Sequence, residues 1–159
     1  MEIKYSHLFI AAIFGLTLGL RLFFAFSTPH FTPDSYFAIR QLDSIAKTGL
    51  PVIQDSLSYG GRPFLFLPTF YYMLSFFSTF LPEWFVLKVI PNIFLSSLVL
   101  IVYLISKEMT GDEKAAVFAS LISGFIPILV FKTAVSITEY SLVIPLMFLA
   151  LYCFMRVEK

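Results

Sequence analysis

The sequence predicts an all-α integral membrane module of about four transmembrane helices, with a long loop outside the membrane after the first helix. Hydrophobic residues make up 58% of the 159 positions and charged residues only 13%, which is far from the composition of a soluble domain. The mean hydropathy is +0.87, and several apolar runs approach the roughly 20 residues that a helix needs to cross the hydrocarbon. Lipid is therefore the natural solvent for most of this chain.

Charge and cysteine content exclude several classes of protein. The formal net charge is +1, so the chain lacks the basic face that a nucleic-acid-binding domain needs, and no nucleic-acid partner is expected. Cys153 is the single cysteine, which excludes a disulfide framework and a cysteine-based metal site. The spacing of histidines and carboxylates resembles no zinc site.

The first predicted span covers residues 7–26. From Leu8 onward this segment is apolar for longer than the core of a signal peptide, so we interpret it as a retained helix. Its charge near the far end is Arg21. An intramembrane charge points to a function by default, with a phosphate or a nearby acid as its partner. The equal alternative is that the side chain snorkels to the interface.

Residues 27–83 form the predicted loop, because prolines and paired glycines interrupt the apolar pattern there. Within the loop, Thr32 followed by Pro33 has the form of a helix start, with Thr32 as N-cap, and Gly49 has that of a helix stop. These signals predict a surface helix over about residues 33–48.

A second helical segment of the loop, residues 64–81, allows two interpretations. It is apolar and aromatic but interrupted by Pro68. It either spans the membrane or lies in the interface as an amphipathic helix, which its phenylalanines and tyrosines also suit. We favour the interfacial helix, which leaves four spans in the chain.

The remaining spans are predicted over residues 84–106, 115–131 and 140–155. With four spans, Asp34 and Glu139 fall on the same side of the membrane. The basic residues outside the loop then lie on the other side: Lys4, Lys107, Lys114, Arg156 and Lys159. The positive-inside rule makes that side cytoplasmic, so both termini are expected in the cytoplasm and the long loop is expected to be extracytoplasmic.

Two carboxylates are the strongest candidates for chemistry. Asp34 lies on the first turn of the predicted loop helix, where it would ligate a divalent cation or act as a base, or would merely complement the positive end of the helix dipole. Glu139 precedes the last span and is either a second acid of a shared site or a helix-start acid. The residues alone leave both questions open.

The loop also carries two arginines of interest. Arg40 lies six residues after Asp34 on another face of the helix, and it pairs more naturally with Asp43 at i+3. The segment from Asp55 to Arg62 combines a tight turn with an arginine beside a membrane helix. It suits the binding of a lipid phosphate through charge-assisted hydrogen bonds, although a plain turn has the same appearance.

In order, these signals resemble the N-terminal module of the polyprenyl-phosphate-dependent membrane glycosyltransferases with the GT-C fold. Gly19-Leu-Arg21-Leu-Phe-Phe24 is similar to the family's first helix. Asp34-x-Tyr36-Phe37-x-x-Arg40 resembles the acidic motif of its first extracytoplasmic loop, most closely that of oligosaccharyltransferase catalytic subunits. Gly49-Leu-Pro51, Asp55 and Ser58-Tyr59-Gly-Gly-Arg62-Pro63 are similar to the continuation of that loop, and Lys107-Glu108 to a later cytoplasmic turn. The resemblance covers nearly the whole chain.

The resemblance implies which residues act. In the family the acid of the first loop is catalytic, and this role falls on Asp34, with Glu139 at the place of the second acidic motif. Oligosaccharyltransferases carry an acid pair there, which implies a divalent cation, Mg²⁺ or Mn²⁺, held by Asp34 and Glu139. Here Ile137 replaces the other acid, as in protein mannosyltransferase-like and aminoarabinose transferase-like branches, some of which work without a metal. The substrate-binding residues implied are Arg21, Tyr36, Arg40, Asp55, Tyr59 and Arg62.

The resemblance also implies partners and a location. A lipid-linked sugar donor on a polyprenyl phosphate or pyrophosphate carrier, of the dolichyl phosphate type, would deliver its sugar at the outer surface of a prokaryotic plasma membrane. Family members typically have more spans, which leaves three accounts: the N-terminal part of a larger transferase, a split enzyme completed by a second chain, or a non-catalytic remnant that binds lipid carriers. A small transporter or assembly subunit is the alternative from another class, and it predicts buried charges within several spans.

Overall fold

The computed structural model describes residues 6–57, 61–63 and 67–157. Within these ranges the chain forms α1 (Ser6–Ser27), α2 (Pro33–Thr48), β1 (Gln54–Asp55), β2 (Arg62–Pro63), α3 (Thr69–Ser78), α4 (Glu83–Lys88), α5 (Ile90–Ser96), α6 (Leu98–Thr110), α7 (Glu113–Gly124), α8 (Pro127–Thr133) and α9 (Tyr140–Val157). The two short strands pair antiparallel, with Asp55 opposite Arg62. The architecture is therefore helical apart from one small hairpin-like pairing in the loop.

Three stretches of the described residues are long and apolar enough to cross a membrane. They are α1, the run from α4 to α6 over Glu83–Thr110, and α9. A fourth consists of α7 and α8, which are bent by 40° relative to each other, if the pair counts as one span. The predicted all-α fold, with several helices long and apolar enough to cross a membrane, is confirmed for the described residues.

The stretch Glu83–Thr110 is 28 residues long and exceeds the predicted span over 84–106. At 1.5 Å per residue it would measure about 42 Å, against roughly 30 Å of hydrocarbon. It therefore has to tilt or to extend past the membrane. Pro91 interrupts its hydrogen bonding, because a proline has no N–H to donate to the carbonyl of Leu87, and α4 ends at Lys88 just before it.

The predicted span over 115–131 is not one continuous helix but the bent pair of α7 and α8. The helix ends at Gly124 and resumes at Pro127 in a new direction. A proline disfavours the helical conformation in the residue before it, and Ile126 is extended, with φ −62° and ψ 111°. The apolar composition concealed this break, because hydropathy does not register the backbone restriction that one proline imposes.

Helix α2 has the predicted bounds. Gly49 ends it in the left-handed region at φ 75°, and its N–H bonds to the carbonyl of Ile45, a conformation that glycine adopts without strain. Thr32 occupies the N-cap position in an extended conformation, but its side chain makes no capping bond. Its hydroxyl instead contacts those of Ser35 and Ser136, each at 2.8 Å.

Helix α3 is too short to span a membrane. Its ten residues rise about 15 Å, half the thickness of the hydrocarbon. Its apolar side chains Phe70, Tyr71 and Leu74 are buried with those of α2, including Ala38 and Leu42. The spanning interpretation of 64–81 is therefore wrong for its helical part. The observed helix begins at Thr69 and ends at Ser78, within the predicted range, and residues 64–66 lie outside the described ranges.

The two ends of the bundle differ in chemistry. At one end, Lys107 pairs with Glu113 at 2.8 Å across the turn between α6 and α7, and Arg156 of α9 interacts with Glu108. Helix α1 runs from this end to the other, where α2 begins and where Glu139 precedes α9. Lys107 and Arg156 therefore lie at the end of the bundle opposite to Glu139, whereas Lys4 and Lys159 are outside the described residues.

Candidate functional site

Asp34 and Glu139 line one pocket, although they lie 105 positions apart in the chain. The pocket has a volume of about 280 Å³. Its other walls are Phe37, Tyr71, Ile137, Thr138 and Tyr140. The structure thus brings together the two carboxylates that the sequence indicates as candidates, within a wall of aromatic and aliphatic side chains.

The start of α2 presents Asp34 to the pocket. Pro33 occupies the first helical turn, where its missing N–H costs nothing, and Asp34 follows on the exposed side of that turn. A carboxylate in this position is stabilised by the partial positive charge of the helix N-terminus. The neighbouring Ser35 is completely buried, so the helix start is anchored while its acid stays accessible.

Glu139 is held by a tyrosine from the loop. The Tyr71 hydroxyl donates a 2.7 Å hydrogen bond to Oε1 of Glu139, and the Tyr71 side chain is only 3% exposed. Burial, together with the hydrogen bond and the negative charge of Glu139, raises the pKa of Tyr71. The phenol is therefore a neutral donor at any physiological pH, and it fixes one oxygen of the glutamate.

The non-helical segment between α8 and α9, residues 134–139, is anchored by side chains from several elements. The Asn92 amide of α5 donates to the Ala134 carbonyl at 3.1 Å. The Ser35 hydroxyl of α2 accepts the Ile137 N–H at 2.9 Å. With Tyr71 on Glu139, the segment is fixed near both of its ends and in its middle. Irregular backbone in a membrane protein requires such internal partners.

A second, apolar pocket adjoins the first. It has a volume of about 390 Å³ and shares Glu139 with the acidic pocket. Its remaining walls come from the start of α3 and one face of α9: Leu67, Thr69, Phe70, Leu142, Val143 and Leu146. A polar site and an apolar groove thus meet at one carboxylate, which suits a ligand with a charged or polar head and a hydrocarbon tail.

The two carboxylates of the pocket, Asp34 and Glu139, provide few ligands for a metal ion. Among the described residues, no group of three or more histidine, cysteine, aspartate or glutamate side chains could hold an ion. Mg²⁺ nevertheless binds commonly through one or two carboxylates, with water and substrate phosphates completing its shell. Asp34 and Glu139 meet that requirement only with a phosphate ligand present, and one oxygen of Glu139 already accepts from Tyr71.

No family model, curated protein or solved structure matches this chain. Its function is therefore inferred from its own residues and their geometry.

Arg21 lies away from the pocket. It is only 2% exposed, and its Nη1 donates a 2.9 Å hydrogen bond to the hydroxyl of Thr133 at the end of α8. The snorkelling interpretation is wrong, since the side chain is buried against other helices. The structure instead gives Arg21 a contact that links α1 to the residue just before segment 134–139.

Arg40 pairs with Asp55 and not with Asp43. Its Nη2 lies 2.5 Å from Oδ1 of Asp55, and its guanidinium stacks over Phe37 at 5.7 Å. Asp55 also accepts the Leu57 N–H at 3.0 Å, which closes a local turn. The predicted pairing failed because the loop folds back onto α2, and sequence spacing within a helix does not register that long-range contact.

The remaining predicted site residues are less informative. Tyr36 is exposed on α2 and does not line the acidic pocket. Tyr59 lies outside the described residues, as does the side chain of Arg62, whose backbone belongs to β2. Their proposed substrate contacts stay predictions.

Sequence reasoning missed Tyr71 and the hydroxyls of Ser35 and Ser136. Tyr71 is one of eight tyrosines in a chain that also has twenty phenylalanines. Nothing in its neighbouring sequence distinguishes it from the other aromatic residues. A weak signal existed for the serines, since Ser35 and Ser136 lie within three residues of the two acids, but serine is common in loops. Their role became visible only with the long-range contacts.

Proposed function

We propose that this chain is a membrane glycosyltransferase, or the N-terminal part of one, that transfers a sugar from a polyprenyl phosphate or pyrophosphate carrier to an acceptor on the extracytoplasmic side. The observation that carries the proposal is the pocket that Asp34 and Glu139 share at one end of a bundle of apolar helices. Paired carboxylates at such a place suit group transfer from a substrate that is itself anchored in lipid.

The chemistry is a displacement at the anomeric carbon of the sugar. A nucleophilic oxygen or nitrogen of the acceptor bonds to that carbon while the bond from carbon to phosphate oxygen breaks, and the electron pair leaves with the lipid phosphate. Asp34, exposed on the first turn of α2, takes the proton from the acceptor as a general base. Glu139, held by Tyr71, orients the sugar or acceptor through its second oxygen.

The adjoining apolar pocket supports a lipid-linked donor. A polyprenyl tail is hydrocarbon, and burial of apolar surface contributes about 25 cal/mol per Å². The groove along α9 and the start of α3 begins at Glu139, so a tail lying there would bring its head group to the carboxylates. If a divalent cation participates, Asp34 and Glu139 would hold it, and it would offset charge on the leaving phosphate.

The test is a transfer assay in membranes that contain the whole gene product. Radiolabelled sugars on polyprenyl phosphate and pyrophosphate carriers are supplied, and the release of the carrier phosphate is measured with and without added Mg²⁺. Asp34→Asn should lower the rate at least about 100-fold, the usual contribution of a general base. Asp43→Asn is the matched control, because Asp43 is an exposed acid of the same helix outside the acidic pocket.

Glu139→Gln tests the second acid, since the amide keeps an oxygen that can accept from Tyr71 while the charge is lost. We expect reduced transfer with unchanged folding, and Glu83→Gln is its control on α4. Full activity in Asp34→Asn would contradict the proposal. Binding of the carrier lipid without transfer in any condition would favour a non-catalytic carrier-binding subunit instead.

A further inference from the structure

We propose that Thr32, Ser35 and Ser136 form a hydroxyl latch that sets the position of Asp34 relative to Glu139. The three hydroxyls are joined in a chain, with Thr32 Oγ1 lying 2.8 Å from Ser35 Oγ and 2.8 Å from Ser136 Oγ. The latch itself is inferred from these contacts alone. Its effect on sugar transfer rests on the proposed function.

The latch flanks both carboxylates. Thr32 and Ser35 stand on either side of Asp34 in the sequence, and Ser136 lies three residues before Glu139. Each acid therefore lies within three residues of a latched residue in the sequence. A displacement of the α2 start relative to segment 134–139 has to break these bonds before it can separate the acids.

The backbone of the segment takes part as well. The Ile137 N–H donates to Ser35 Oγ at 2.9 Å, and both residues are almost completely buried, with Ser35 0% and Ile137 2% exposed. A buried backbone N–H without a partner is costly. One consistent arrangement has Ile137 donate to Ser35, Ser35 to Thr32 and Thr32 to Ser136, so that each hydroxyl uses its single hydrogen.

Thr32 is the best position for testing the latch, because its side chain does not cap the helix. A threonine at a helix N-cap normally accepts a backbone N–H of the first turn, but the Thr32 side chain makes no such bond. Replacing its hydroxyl therefore removes the contacts with Ser35 and Ser136 and leaves the capping of the helix as it was. Valine has the same shape without the hydroxyl, and serine keeps the hydroxyl without the methyl group.

The experiment compares Thr32→Val, Thr32→Ser and the wild type in two measurements. Hydrogen exchange of segment 134–139 in detergent needs no substrate, and we expect about tenfold faster exchange in Thr32→Val, the equivalent of one lost hydrogen bond. In the transfer assay, we expect kcat to fall about 10- to 100-fold with KM nearly constant, because misplaced groups slow the chemical step rather than binding. Thr32→Ser should restore both.

Thr48→Val is the matched control, since Thr48 lies at the other end of α2 and its hydroxyl bonds only to Ser44 and Leu50 among the described residues. Ser136→Ala removes the opposite partner and serves as a second variant if Thr32→Val folds poorly. Unchanged exchange in both variants would overturn the latch, and faster exchange with unchanged kcat would overturn its positioning role. Absence of transfer in the wild type would refute the proposed function, and the exchange result would still decide the latch.

Discussion

The Tyr71 hydroxyl donates a 2.7 Å hydrogen bond to Glu139, joining the loop helix α3 to the residue that precedes α9. The ring of Tyr71 is packed edge-on against Phe70, with centroids 5.6 Å apart, and against Phe37 at 6.4 Å. The phenol therefore cannot move without disturbing the core that α2 and α3 share. Of the two carboxylates in the pocket, Glu139 is thus the one whose orientation is fixed from the loop.

Tyr71→Phe should lower transfer while it leaves the fold intact. The substitution keeps the ring and removes one hydrogen bond to a carboxylate, a type of bond that contributes about 1.5–3 kcal/mol. We expect kcat/KM to fall about tenfold or more. The adjacent Tyr72→Phe is the control, because Tyr72 is 40% exposed and its hydroxyl bonds to the Gly49 carbonyl outside the pocket. Equal activity in both variants would contradict the role of Tyr71.

Tyr71 should also make the protein sensitive to alkali. Its folded-state pKa is raised above the ordinary value of 10.0, so the unfolded chain loses this proton at a lower pH than the folded chain does. The contribution of the protonated Tyr71 side chain to the free energy of unfolding is fully present below about pH 10. It is lost as the pH rises through the folded-state pKa. Thermal unfolding measured from about pH 9 to about pH 11 should show a smaller loss of stability in Tyr71→Phe than in the wild type. An identical pH dependence would contradict this assignment.

The sequence predicts the elements whose signals are local. Pro33 and Gly49 bound α2 because each acts on its own backbone, and both bounds are observed. The prediction that Asp34 and Glu139 lie on the same side of the membrane rested on two spans between them, and that topology stays a prediction. The structure places both carboxylates in one pocket, and the walls of that pocket could not be predicted from the order of the spans.

What the sequence does not predict depends on contacts between distant residues. The partner of Arg40 is Asp55, brought back by the loop, and that of Arg21 is Thr133, which lies 112 positions away. Pairing by helical spacing cannot reveal either contact. The role of Tyr71 could not be predicted either, because the residue type alone does not show whether an aromatic ring faces lipid, packs in the core or forms a hydrogen bond.

The break between α7 and α8 coincides with a close approach of α7 to α1. A Cβ added at Gly124 would lie 2.5 Å from Thr17 Oγ1 and 2.9 Å from Val99 Cγ2. Gly124→Ala should therefore destabilise the bundle by about 1–3 kcal/mol, the usual cost of overpacking. Thermal unfolding in detergent, followed by the fluorescence of Trp84, measures the change.

Gly15→Ala is the matched control for Gly124→Ala. A Cβ at Gly15 meets nothing within 4 Å, and alanine in a helix interior is favoured over glycine by about 0.5–1 kcal/mol. The control should therefore unfold at the same or a higher temperature. Combining Gly124→Ala with Thr17→Ala should recover part of the loss. If Gly124→Ala were as stable as the control, α1 and α7 would not be in close contact there.

Lys88 holds the end of α1 through contacts that its position in an apolar stretch does not predict. Its Nζ donates to the carbonyls of Ala25 at 2.9 Å and Thr28 at 3.0 Å. The same ammonium lies over the rings of Phe26 at 5.2 Å and Phe31 at 5.4 Å. A cation here satisfies carbonyls at the C-terminal end of α1, which are otherwise without helical partners, and complements the negative end of its dipole.

Lys88→Met should loosen the junction between α1 and the loop. It keeps most of the side-chain volume and removes two charge-assisted hydrogen bonds, so we expect a loss of about 1–3 kcal/mol in the free energy of unfolding. Trp84 reports the junction directly, because its ring lies 6.1 Å from that of Phe26, and its emission should shift in the folded state. Lys132→Met is the control, since Lys132 is exposed on α8. Matching unfolding and emission in the two variants would show that the Lys88 contacts do not hold α1 in place.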